Sequence, residues 1–107
     1  MLSNTERTME TYKKAGAMMR LLKEVGGEAL VEVSKVLKGS DSDRFWRAIN
    51  TIDIICCRAE DNMFRDHPEL SNEYTDVFYG SLDEEPRSDV GKDVIALARE
   101  AADELFR

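Results

Sequence analysis

Apolar residues recur along most of this chain at intervals of three and four, the period of a helix buried on one side. Met9, Tyr12, Gly16, Met19 and Leu22 form the first such stripe, widened by Met18 and Leu21. Ser3 and Glu6 have capping-box spacing, so a helix is predicted from about Asn4 to Val25, with Gly26-Gly27 as its stop. A second helix is predicted over Glu28–Leu37, with Leu30, Val33, Val36 and Leu37 on one face and Gly39 at its end. Ser40 or Asp41 then has the chemistry to cap the next helix.

The strongest pattern is the third. Phe45, Ile49, Ile52, Cys56, Ala59 and Met63 are spaced 4, 3, 4, 3 and 4. Trp46, Ile54 and Ile55 broaden its apolar surface, which predicts the central helix of a bundle over residues 42–65. Pro68 suits the first turn of a fourth helix with Leu70, Tyr74, Val77 and Phe78 on its apolar side and Gly80 as its end. Residues 81–89 read as a polar loop broken by Pro86. Ser88 caps a last helix whose apolar face is Val94, Ile95, Ala98, Ala101, Ala102 and Leu105. No strand pattern and no internal repeat occur. The expected fold is all-α: one domain over residues 1–107, a compact antiparallel bundle of four to five helices.

Charge changes this picture in one place. The 107 residues carry a net charge of −7. Residues 1–59 hold 10 Lys/Arg and 8 Asp/Glu, whereas residues 60–89 hold 2 and 10. The negative excess is therefore nearly all in one segment. Such a segment repels a phosphate backbone and attracts basic proteins, so a protein partner with a basic surface is expected, and no direct nucleic acid.

Within it, "DHPELSNEYTD" (residues 66–76) holds four carboxylates spaced 3, 4 and 3 apart and the chain's one histidine. On a helix, Glu69, Glu73 and Asp76 fall within an arc of about 60°, next to the apolar arc of Leu70, Tyr74, Val77 and Phe78. The plain reading is an amphipathic helix with a wet edge. The functional reading is an acidic stripe beside aromatic side chains, a docking surface able to imitate a row of phosphates. That surface comprises Glu69, Glu73, Tyr74, Asp76, Phe78, Tyr79, Asp83, Glu84 and Glu85. His67, between Asp66 and Pro68, is explained by the helix start.

The remaining chemistry is sparse. Cys56 and Cys57 are adjacent, and their Cα atoms stand about 3.8 Å apart, too close for a relaxed disulfide. Both read as reduced thiols, Cys56 in the core and Cys57 partly exposed, which suits a cytoplasmic compartment. Residues 1–14 lack the apolar core of a secretory signal, and no run is long enough to span a membrane. The methionines fall mostly on apolar faces and read as core. Lys13, Lys14, Arg20 and Lys23, joined by Arg44 and Arg47, make a basic side that could meet the acidic segment of a second copy in a homodimer, or of the same chain. No Ser-His-Asp set, phosphate loop, CxxC or HExxH motif occurs, and no cofactor is expected.

Two resemblances complete the reading. "KEVGGEALVEVSK" (23–35), with Glu24, Glu28 and Glu32, together with the ExxD of Glu73 and Asp76, resembles part of the helices of MazG-like all-α nucleotide pyrophosphohydrolases. That likeness implies Mg²⁺ held between glutamates, although the first set is spaced by four instead of three and Asn50 and Asp53 stand where a second acidic pair belongs. Small, acidic, motif-free helical proteins also occur among phage and mobile-element inhibitors, and the chain is similar in type to anti-CRISPR proteins. The leading expectation is a non-enzymatic regulator or inhibitor that occludes a basic, nucleic-acid-binding surface of its partner. The alternatives are the MazG-like enzyme and a structural homo-oligomeric helical domain.

Overall fold

The computed structural model describes residues 1–106. Three α-helices and one 3-10 helix follow one another: α1 over Met9–Ser34, α2 over Gly39–Asp66, the 3-10 helix over Asn72–Val77, and α3 over Asp89–Leu105. The described residues contain no strand. The chain is all-helical, with fewer α-helices than the sequence pattern suggests.

The first difference is at the N-terminus. Ser3 and Glu6 form a turn: the Ser3 carbonyl accepts from the Glu6 and Arg7 amides, and its hydroxyl donates to Glu6 at 2.7 Å. The helix itself starts after Thr8, whose hydroxyl accepts from the Thr11 amide at 3.2 Å. The second difference is the absence of a break at Gly26-Gly27. A glycine stop needs a positive φ, and among the described residues the one with positive φ is Gly80. Gly26 serves packing instead. A Cβ there would lie 2.8 Å from Ile49 Cδ1 of α2, so its lack of a side chain lets the two helices approach. The two predicted helices are thus one, α1.

α1 and α2 form an antiparallel hairpin closed by residues 35–38. Arg7 and Tyr12 meet Asp66 near one end, and Lys23 meets Asp53 further along. α2 begins without a side-chain cap, Lys38 standing at that position. It ends where the residue before Pro68 leaves helical geometry (His67, φ −133°), as a residue before proline prefers.

The predicted centre also moves. α2, the 3-10 helix and α3 all pack against α1. Trp46, Ile54 and Ile55, expected to enlarge the buried face of α2, are about half exposed. The core lies at one end of the hairpin, where Tyr12, Ala17, Cys56, Met63, Val77, Phe78, Val90, Val94 and Ala98 meet. Gly16 makes this possible: a Cβ there would lie 2.2 Å from the Val77 carbonyl oxygen. The molecule measures 47 × 26 × 26 Å.

Candidate functional site: the acidic segment

Residues 66–89 do not form the predicted fourth helix. Between the end of α2 at Asp66 and the start of α3 at Asp89, only the six-residue 3-10 helix is regular, and the rest is loop. A loop leaves backbone carbonyls without helical partners. Here α1 supplies them. The buried Arg20 guanidinium donates to the carbonyls of Asp76 (2.8 Å), Gly80 (3.0 Å) and Ser81 (3.1 Å). Lys23 donates to the Phe78 carbonyl at 2.7 Å and sits 4.4 Å from the Tyr79 ring centre. Arg20 falls on the helical arc of Tyr12 and Gly16, and that placement was the one sequence signal for this anchoring role.

The predicted acidic stripe is therefore dispersed. Asp66 points inward, between Arg7 Nε at 2.6 Å and the Tyr12 hydroxyl. Those hydrogen bonds hold its carboxyl below the usual range. Burial, then the bond to Asp66, pushes the Tyr12 phenol up to about 12. Asp76 is also buried: one oxygen accepts from Arg87 at 3.0 Å and the other from the Ser88 hydroxyl at 2.7 Å. Ser88 in turn accepts from the Gly91 amide, the predicted cap of α3. Asp76 is thus a support for a helix start and belongs to no docking surface. Phe78 is 1% exposed and belongs to the core. Tyr74 is half-buried against that core, and Tyr79 is covered by Lys23, with its hydroxyl 2.8 Å from Cys57 Sγ.

Glu69, Glu73, Asp83, Glu84 and Glu85 remain exposed. The last three stand together, and the fold adds a carboxylate from α1. Burial first, then a hydrogen bond and charge repulsion with Asp83, push the Glu24 carboxyl above its ordinary value; Glu28 adds to the effect. Sequence spacing gives no hint of this meeting, because 59 positions separate Glu24 from Asp83. A groove of about 330 Å³ runs beside Asp83–Pro86, with Lys92 and Arg99 among its lining. Neither cation is within ion-pair distance of an acid among the described residues.

The carboxylates of the MazG-like pattern are not gathered. Glu28 and Glu32 are exposed on α1, Asp53 lies 3.7 Å from Lys23, and Asp76 is engaged by Arg87 and Ser88. Among the described residues no group of three or more His, Cys, Asp or Glu side chains is placed to hold a metal ion. His67 bonds the Arg7 carbonyl at 2.9 Å through Nε2, a structural role. Cys56 is buried and burial raises its thiol pKa, while Cys57 is exposed. No described helix is long and apolar enough to cross a membrane. No family model, no curated protein and no solved structure matches the chain.

Proposed function

We propose that the chain is a protein-binding regulator that occludes a basic surface of a partner protein through Asp83, Glu84, Glu85 and Glu24. The observation that supports this reading is the run of exposed carboxylates Asp83, Glu84 and Glu85, with Glu24 of α1 beside it. Burial first, and then the neighbouring Asp83, push the Glu24 carboxyl above its ordinary value. A cationic surface docking on the segment offsets the repulsion among these acids. Exposed Glu84 and Glu85 extend the field outward and steer approach. This mode is similar in type to phage-borne and other mobile-element inhibitors, including anti-CRISPR proteins, and needs no catalytic group.

The test is salt-dependent capture of a basic protein from the native host. The Asp83→Lys plus Glu85→Lys variant changes two exposed side chains outside the core and gives up only the approach of Asp83 to Glu24, so its helical circular dichroism is expected to match the parent. Capture that weakens in this variant and at high salt supports the reading. Capture that persists unchanged in the variant, or turnover of a nucleotide with Mg²⁺ by the purified chain, removes it.

A further inference from the structure

Beyond the core, the hairpin continues as a bare arm. From Gly27 to Ile55 not one residue is buried. Two helices with only each other to pack on bury too little to be well ordered in water. The hairpin, from beside the core into the arm, nevertheless keeps an apolar pattern. Met18, Leu22 and Val25 on α1 are spaced four and three apart, and so are Ala48, Ile52 and Ile55 on α2. At about 100° per residue, each trio spans an arc of about 60°. Neither arc is the one that faces the 3-10 helix and its flanking loop, which is touched by Lys23 and Cys57. Met18, Leu22, Val25 and Ile55 are about half exposed. The hairpin thus has a second apolar face with coiled-coil spacing, open except at Ile52, which packs partly against the core.

We infer that this face packs against the same face of a second copy of the chain, making a four-helix bundle from two hairpins. The surface area fits that occupant. A folded monomer of 12.2 kDa is expected to expose roughly 6,100 Å², and this chain exposes 7329 Å². The surplus exceeds the roughly 800 Å² that each partner gives to a standard interface. The radius of gyration, 15.2 Å, likewise exceeds the roughly 13 Å of a compact chain of this length.

Charge selects the arrangement. Beside the open face, α1 carries exposed Glu28 and Glu32, and α2 carries exposed Arg44 and Arg47. Among the described residues neither arginine is in an ion pair, and Glu32 meets only Lys35 of its own turn. Both pairs lie at the tip of the hairpin. A two-fold axis along the hairpin sets α1 of each copy against α2 of the other, so that Glu28 and Glu32 meet the partner's Arg44 and Arg47. A perpendicular axis sets α1 against α1 in antiparallel fashion and leaves the two tips at opposite ends, so those pairs do not form.

Sedimentation equilibrium of the full chain tests this. The expected mass is twice 12.2 kDa. Leu22→Asp plus Ile55→Asp, both at exposed positions, is expected to weaken association by roughly a hundredfold with helical circular dichroism retained. Glu28→Lys plus Glu32→Lys weakens it too, and adding Arg44→Glu plus Arg47→Glu restores it. A monomer at 100 µM total chain, a dimer indifferent to the aspartate variant, or a dimer lost through Asp83→Lys plus Glu85→Lys instead overturns the inference. The last outcome places self-association on the acidic segment, so the arm and the acidic segment are tested separately.

Discussion

Arg20 illustrates how one side chain organises an irregular segment. It is 3% exposed and spends its guanidinium on three backbone carbonyls of the acidic segment. Removing it leaves those acceptors without partners in a poorly hydrated site. Arg20→Met is expected to cost about 3 kcal/mol, the scale of losing charged hydrogen bonds and stranding their acceptors, read as a lower urea midpoint. Asp66 gives a pH dependence of definite sign. Its carboxyl is lowered in the folded chain, so its stabilisation is present above the ordinary carboxyl range and is lost as pH falls through the folded value. Tyr12 acts at the other end. Its phenol is raised to about 12, so stability falls as pH rises from the ordinary phenol value toward that figure. Thermal melts across pH are expected to show both flanks, and Asp66→Asn to flatten the acid one.

At the scale of elements, the glycines separate what the sequence pattern states from what it leaves open. Gly16 and Gly27 both lie inside α1 and look alike in sequence. A Cβ at Gly16 would collide with backbone of Val77, whereas one at Gly27 meets nothing within 4 Å. Gly16→Ala is therefore expected to destabilise by about 2 kcal/mol through overpacking. Gly27→Ala is expected to stabilise by about 0.8 kcal/mol, the helix-propensity difference. Chemical denaturation of the two variants reads both. The helical class, the Ser88 cap and the long helix around Ile49–Met63 were legible, since each follows from local spacing or local hydrogen bonding. The break at Gly26-Gly27 was misread because helix-stopping is a matter of φ, which composition does not reveal. The helix through Glu69–Asp76 was misread for a different reason. Its 3.6-residue pattern is present, but the segment's backbone finds partners on α1, and Asp76 and Phe78 are drawn inward by Ser88, Arg87 and the core. Of the predicted docking residues, Glu69, Glu73, Asp83, Glu84 and Glu85 are exposed, and the approach of Glu24 to Asp83 depended on a fold that spacing cannot supply.

The whole molecule is uneven. One end holds every large buried side chain, and the other end is helix without a core. Local stability follows buried contacts. In the Leu22→Asp plus Ile55→Asp variant, amide exchange is expected to be fast over residues 27–55 and slow over residues 10–20 and 90–98. In the parent chain the arm is expected to gain protection as concentration rises, with a melting temperature that rises with it.

Gly80 has a consequence for the loop as a moving part. It is the sole left-handed residue among those described, with φ 117°, and a Cβ there would lie 2.9 Å from Arg20 Nη2. Turn and guanidinium thus behave as the two halves of one latch. Opening either half opens both, so Gly80→Ala and Arg20→Met together should cost far less than the sum of their separate effects. With the latch undone, a protease is expected to nick the chain between Tyr79 and Arg87 while both long helices survive the digest.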